Sequence, residues 1–310
     1  MGEWSKSIGE KGEKISKFVF EEILNFNSLI ENESINCVRG EKHKVAKANK
    51  TTHGLDGLVG YKTPLEDNSL DMGVISTKYS AKEYPNSPST LFKKFLKDLA
   101  FTIECFNNSK LKNDLNQKFT EVNKTEVFGV LIWLSNKSEL DFNLIDKVKN
   151  VQISPDLLFD KIILLDNRKV NFLYESIYKT KKYFHVENVD FVYHNSALNL
   201  MSIGKSSFGK IFPLNYLYSD IIILRIEYNK EVILSIFVND DFEDSQFGQI
   251  LNFAKSFDHL KTVNKVIIQY LKYDDIENKN SIKDKLINHP SYKLNQNLEV
   301  KKFPSDFRDN

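Results

Sequence analysis

Between His53 and Ser80 the chain reads HGLDGLVGYKTPLEDNSLDMGVISTKYS, with a carboxylate, Asp56, on one short apolar run and an ammonium, Lys78, on the next. Hydrolysis of a phosphodiester needs a divalent cation held by carboxylates, and a cation or base that positions the attacking water and offsets charge on the phosphorane. Asp56 and Lys78 are the residue types for those two tasks. Strand alternation puts Ser76 and Lys78 on one face and Ile75, Thr77 and Tyr79 on the other. A second reading stays open at each position. HGLDG is rich in turn formers, so Asp56 also suits a turn in which it bonds its own backbone, and Lys78 also suits a solvated edge strand. His53, beside Gly54, reads as a loop hydrogen-bonder rather than a base.

The elements that must position these residues follow from periodicity. Apolar residues at Ile8, Ile15, Phe18, Val19, Ile23, Leu24 and Phe26 fall mostly three or four apart and predict an amphipathic helix. Extended runs over 55–61 and 73–79, joined by KTPLEDNSLD, predict an antiparallel pair. Beyond Pro85 and Pro88, Ser89 is expected to cap a helix reaching Phe106, with Phe92, Phe95, Leu96, Leu99, Ile103 and Phe106 on one stripe. Strands over 127–134 and 161–166 flank a helix near Leu144, so the expected class is α/β, a mixed central sheet flanked by helices. Composition shifts after YKTKKYF, which sets the expected domains at 1–185 and 186–310, the second an α+β module. That module should hold a strand over 190–194, a hairpin turning at Asn229-Lys230, a helix near Phe247 to Phe257 and the strand VNKVIIQYL. Its polar last ~35 residues are expected to be partly irregular.

A chain of 310 residues, 41% hydrophobic, can bury a substantial core. Its 43 basic against 42 acidic residues leave a net charge of +1, which excludes a global electrostatic signature of nucleic-acid binding. Contact with a phosphate backbone would have to come from local stretches: KHKVAKANK, or YKTKKYF with Tyr178, Tyr183 and Phe184 for stacking. Such runs equally suit a solvated face. The charged start, MGEWSKSIGEKGEK, has no apolar core for a signal peptide, Lys6 stands where myristoylation needs Ser or Thr, and no segment approaches ~18 apolar residues. No membrane partner and a cytoplasmic location are therefore expected. Cys37 and Cys105 are too few for a disulfide framework, and their spacing to His43 and His53 matches no zinc pattern, so both read as buried or incidental thiols. Gly204-Lys205-Ser206 ends like a phosphate-binding loop, but Asn199 stands where that loop needs Gly. Gly54, Gly57 and Gly60 do not make the dinucleotide fingerprint.

Taken in order, a helix carrying GEKGEKI, a strand with Asp56, a strand with Ser76-Thr77-Lys78, a helix and a further strand resemble the PD-(D/E)XK nuclease superfamily over roughly Ser5 to Asp166. The resemblance implies that Glu13 and Asp56 bind Mg²⁺, with Mn²⁺ as substitute, and that Lys78 assists the nucleophilic water. The family pattern has Asp or Glu where this chain has Ser76. Members that read Ser-x-Lys take the carboxylate from the following helix, which implies Glu104 in DLAFTIECF, with Asp98 and Glu83 as lesser candidates. The residues themselves leave Glu13 and Glu104 open as solvated helix positions. The segments GEWSKSIGEKGEKI, HGLDGLVGYKTPL, VISTKYS, FKKFLKDLAFTIECF and GKIFPLNYLYSDIIILRIEY further resemble the nuclease-like A component of a two-gene bacterial anti-phage defence system. That resemblance implies a nucleic-acid substrate, DNA favoured, and a second defence protein encoded nearby, with a homo-oligomer left open. Two other readings stand beside it. One is a catalytically inactive nuclease-fold subunit that binds nucleic acid and a partner, which is what loss of the acid at Ser76 predicts. The other is a structural protein whose C-terminal half recruits a partner.

Overall fold

The computed structural model describes residues 2–44, 48–140, 142–194, 207–255, 263–288 and 297–303. The chain falls into two compact units, Met1–Asn171 with Pro213–Tyr218, and Phe172–Phe212 with Ser219–Asn310. The division expected at 185/186 thus differs from the one at 171/172, which falls inside a helical stretch where no Pro, Gly or polar linker marks it.

The first unit opens with α1 (Gly2–Lys17), which continues as a π-helical turn, Phe18–Ile23, burying Val19, Phe20 and Ile23. Asn25, at φ 63°, takes the left-handed conformation that ends helices, so the helix stops short of the expected Phe26. A strand that periodicity did not reveal follows, β1 (Ile30–Asn36), with only Ile35 of its seven residues buried. Then come the expected pair, β2 (Thr52–Lys62) and β3 (Ser69–Ser80). Next are α2 (Ser89–Phe106), α3 (Lys110–Gln117), β4 (Lys124–Ser135), α4 (Leu144–Val148) and β5 (Lys161–Leu165). Ser89 is the first residue of α2 rather than its cap: Pro88 holds the cap position, with no side-chain hydrogen bond.

These strands form one sheet in the order β1-β2-β3-β4-β5, antiparallel across β1/β2/β3 and parallel across β3/β4/β5. Parallel neighbours need a crossover, and α2 supplies it between β3 and β4. Its apolar stripe is the expected one: Leu96, Leu99, Ile103 and Phe106 pack with Leu58, Met72, Val74, Leu131 and Trp133 in a single buried cluster. Gly129 in β4 permits the close approach, since a Cβ there would lie 2.7 Å from Ile103 Cδ1 and 2.8 Å from Ile162 Cγ1. The expected mixed sheet flanked by helices is what forms.

The helical stretch that follows begins with α5 (Asn167–Leu173) and ends with α6 (Lys179–Phe184). In the second unit β6 (Val189–Val192), β7 (Phe208–Gly209), β8 (Ile221–Tyr228), β9 (Glu231–Asp241), β10 (Lys265–Lys272) and β11 (Leu298–Lys302) form a sheet ordered β11-β10-β9-β8-β6-β7. The hairpin β8/β9 turns where expected, with Asn229 at φ 52° and Lys230 at φ 68°, the signs a type I′ turn requires. Helices α7 (Asp244–Lys255) and α8 (Asp275–Asn288) complete it. The polar tail expected to be partly irregular carries α8 and β11 among its described residues. Strand β11 pairs with β10 in parallel and adds Leu298 and Val300 to the core, which no local apolar run announces.

Asp71, buried in β3, accepts a 3.1 Å hydrogen bond from the Tyr61 hydroxyl, which in turn accepts the Leu214 N–H at 2.5 Å. Burial pushes its carboxyl up to about 6. A folded-state value above the unfolded ~3.9 means the native state holds this proton more tightly, so the contribution is greatest below about pH 4 and is lost as pH rises through about 6. Asp71→Asn keeps an acceptor for Tyr61 and should flatten that decline. Urea unfolding of both proteins at pH 4 to 7 measures it, and an unchanged pH slope would count against the assignment.

Candidate active site

Two strand pairings end at different places, and the difference makes the site. β2 stays with β3 from Lys62↔Leu70 to Gly57↔Ile75, whereas β3 stays with β4 through Ser80↔Ser135. From Thr52 to Asp56, β2 follows β1 instead, so the sheet forks and the Ser76–Ser80 edge of β3 is free of β2. Asp56 sits at the fork. Its Oδ2 accepts the Thr77 N–H at 2.6 Å, which satisfies the first peptide of the freed edge. The side-chain phase of β2 changes here too. His53 and Leu55 pack toward α2 before Asp56, and Leu58 and Gly60 face α2 and α3 after it, so odd positions give way to even ones. Asn32, opposite Asp56 on β1 between the pairs Glu31↔Gly57 and Glu33↔Leu55, has φ 56° and absorbs the irregularity.

Lys78, the residue after the fork hydrogen bond, faces α2 with its Nζ 5.9 Å from the Phe95 ring centroid. Thr77 and Tyr79 face α1. A Cβ on Gly12 would lie 3.1 Å from Tyr79 Cβ and 3.5 Å from Thr77 Cγ2, so glycine lets that helix lie directly on β3. An open cavity of about 660 Å³ runs along this end of β3, lined by Gly12, Lys78, Tyr79, Glu83, Phe95 and Trp133 among others. Glu13 is exposed on α1, one residue from the Gly12 contact. Asp56 is therefore hydrogen-bonded to the residue between Ser76 and Lys78 on β3, and Glu83 lines the cavity of Lys78.

Glu104 is elsewhere. Its side chain is buried with Lys42 Nζ at 2.9 Å, His43 Nε2 at 3.1 Å and Arg39 Nε at 3.7 Å. Burial pushes its carboxyl up, but the hydrogen bonds from Lys42 and His43 outweigh that and hold it below the usual range. Nine residues separate it from Phe95, roughly 13 Å along a helix. Asp98 pairs with Lys50 at 2.9 Å, on a half-exposed side chain. Of the three acids considered in place of Ser76, Glu104 and Asp98 are thus engaged by basic partners away from Lys78.

A model of the PD-(D/E)XK nuclease domain of the GAPS4 protein matches residues 1–169, more than half of the chain. The chain belongs to this family. The family's nuclease domain here runs from α1 through β5, and it ends within two residues of the first compact unit's main segment. No curated protein and no solved structure matches the chain. The expected superfamily is therefore the one found, and both arms of the fork lie inside the matched domain.

Other expectations are revised by what the nuclease domain and the second unit contain. Cys37 and Cys105, half-buried and buried, lie with His43 and His53 in one group whose ligand-type atoms are all within 4.8 Å of one another, a convergence their spacing did not announce. His53 is buried on a strand, not a loop hydrogen-bonder. Local spacing hid the group because its members come from four separate places in the chain. Burial lowers both histidines, His53 to about 4, so both rings are neutral near pH 7. In KHKVAKANK, Lys42 and Lys50 are held by Glu104 and Asp98, and residues 45–47 lie outside the described residues. In YKTKKYF, Lys179 pairs with Glu175, Lys181 lies buried over Phe191, Lys182 lies over Tyr178, and Tyr183 is exposed. Gly204-Lys205-Ser206 lies outside the described residues. Among the described residues no helix is long and apolar enough to cross a membrane.

If Asp56 holds the fork, Asp56→Ala should destabilise the protein by about 1–2 kcal/mol through the orphaned Thr77 N–H, while Asp56→Asn, still an acceptor, should lose less than about 1 kcal/mol. Urea denaturation midpoints test this. Equal losses in the two variants would show that the hydrogen bond does not support the fork.

Proposed function

We propose that the chain is a divalent-metal-dependent nuclease that hydrolyses phosphodiesters, DNA favoured, with Asp56 and Lys78 at the centre of the reaction. The observation that carries this reading is the fork, where the Asp56 carboxylate holds the freed strand edge one residue before Lys78, and Lys78 lines an open cavity. Asp56 engages Thr77 through Oδ2, which leaves Oδ1 for a cation. The Thr77 carbonyl shares the strand edge with its N–H and offers a second oxygen. In this reading Glu83, which lines the cavity of Lys78, and Glu13, beside Gly12 on α1, complete the set, directly or through water. These are hard oxygen donors, which suit Mg²⁺, or Mn²⁺ in its place. Bound there, the ion would supply Lewis-acid stabilisation of the phosphate and a lowered pKa for a water.

In this reading Lys78 orients the attacking water and offsets developing negative charge, and the wall of Phe95 and Trp133 keeps its ammonium beside a partly apolar surface. Ser76 lies on the face of Lys78, where its hydroxyl can hold a water but contributes no charge. Glu104 stays outside the reacting set, because its carboxylate is committed to Lys42, His43 and Arg39. By family resemblance, the nuclease serves a cytoplasmic anti-phage defence system together with a second protein. The competing reading, an inactive nuclease-fold subunit that binds nucleic acid and a partner, is favoured by Ser76 alone.

Purified chain, alone and with the protein encoded beside it, should cut plasmid DNA in the presence of MgCl₂ and stop in EDTA. Lys78→Ala and Asp56→Asn should each reduce cleavage by at least ~100-fold while leaving thermal stability near wild type. Retention of DNA binding with no cleavage under any of these conditions would instead support the inactive subunit.

A further inference from the structure

The buried group around Glu104 is independent of the fork and carries its own chemistry. Cys37 lies just past β1, His43 in the following turn, His53 near the start of β2, and Cys105 in the last turn of α2. His43, His53 and Cys105 are buried to 1% exposure or less. His43 Nδ1 is 3.4 Å from Cys37 Sγ, 3.5 Å from Cys105 Sγ and 3.3 Å from His53 Nε2, and the two sulfurs are 3.8 Å apart. One ring nitrogen has a single hydrogen or a single lone pair to offer, so it cannot hydrogen-bond three groups at once. A common centre accounts for all four distances. With Zn–S ~2.3 Å and Zn–N ~2.0–2.1 Å, a tetrahedron has edges of ~3.8 Å for S–S, ~3.5 Å for S–N and ~3.3 Å for N–N.

The surroundings are those of a ligand set as well. Each imidazole turns one nitrogen into the group and has the other held from outside: His43 Nε2 by Glu104 Oε2 at 3.1 Å, and His53 Nδ1 by Thr102 Oγ1 at 3.3 Å. A carboxylate behind an imidazole fixes the tautomer that presents a lone pair to a metal. Lys42 and Arg39 hold Glu104 in turn, and Phe101 stacks on the His43 ring at 3.9 Å. Two thiols and two imidazoles are a soft, four-donor set with no open position, which suits a structural zinc and not the hard cation of the fork.

We propose that Cys37, His43, His53 and Cys105 bind one structural Zn²⁺ that ties the 37–53 segment and the first part of β2 to the end of α2. Binding replaces the two thiol protons, which pass to solvent, with two Zn–S bonds, and two neutral imidazoles complete the tetrahedron. The site braces β2 three residues before Asp56, so it holds the arm of the fork that β3 does not. Glu104 acts as a positioning residue for His43, which explains a buried carboxylate at that place on α2.

The test uses the full-length chain, purified without chelator and with any His-tag removed, and elemental analysis by mass spectrometry. About one zinc per chain is expected, released by a mercurial thiol reagent, and metal-free protein should take up ZnCl₂ with a rise in melting temperature. CoCl₂ in its place should give the visible bands of tetrahedral cobalt with thiolate charge transfer, a readout that does not depend on nuclease activity. Cys105→Ser and His53→Ala should lose the metal, and Glu104→Gln should keep it with affinity reduced ~10–100-fold. If those variants fail to fold, the cobalt spectrum and zinc titration of the wild-type chain decide. Wild-type protein that binds neither zinc nor cobalt, a Cys37–Cys105 disulfide found by mass spectrometry in place of free thiols, or full zinc content in Cys105→Ser would overturn the proposal.

Discussion

A β-strand that parts from its neighbour leaves peptide groups without a ladder partner, and each must find another acceptor or remain in water. β3 meets this constraint after Ile75, where β2 turns away to follow β1 while β4 stays in register to Ser135. The Asp56 carboxylate answers it by taking the Thr77 N–H. One hydrogen bond thereby ties the two arms together where their pairing ends, one residue before Lys78. The phase change in β2 and the positive φ of Asn32 are the backbone's share of the same arrangement. Irregular strands of this kind gather at functional sites because regular pairing would fill the space a substrate needs.

Helix α2 supports two places at once. Its N-terminal half supplies Phe92 to the core and Phe95 to the cavity wall at Lys78. Its last turns carry Thr102, Glu104 and Cys105 to the buried cysteine-histidine group. The apolar stripe between them, Leu96, Leu99 and Ile103, is seated on the sheet, with Gly129 permitting the approach, and therefore keeps both ends in place. This division explains Glu104 better than a role at the fork does. A carboxylate buried among Lys42, Arg39 and His43 is stabilised as an anion by its neighbours, and its reach is spent on them.

Much of this arrangement was legible in residue order. The stripe of α2, the strands of Asp56 and Lys78, strands β4 and β5, and the hairpin at Asn229-Lys230 all follow from periodicity and turn chemistry, which act over a few residues. The misses share a cause. β1 is a half-exposed edge strand whose residues IENESIN show little apolar alternation, and β11 is a short strand recruited by β10. Both exist because a neighbour offers backbone partners. The boundary between the compact units at 171/172 lies within helix and not within a linker, so residue order carries no mark of it.

The site separates along the same line. Residue types and spacing were enough to put Asp56 and Lys78 on two successive strands of one hairpin, because turn chemistry and period-two alternation act over a few residues. Where each candidate acid stands was decided by tertiary structure. Glu104, Asp98 and Glu83 look alike in sequence, and only packing commits the first two to basic partners and leaves Glu83 beside Lys78. Tertiary structure alone also assembled Cys37, His43, His53 and Cys105, since they converge by the docking of α2 against the start of β2 and the segment before it. Local rules place side chains on faces, whereas the meeting of distant faces is set by the burial of a shared core, and that is a property of the whole fold.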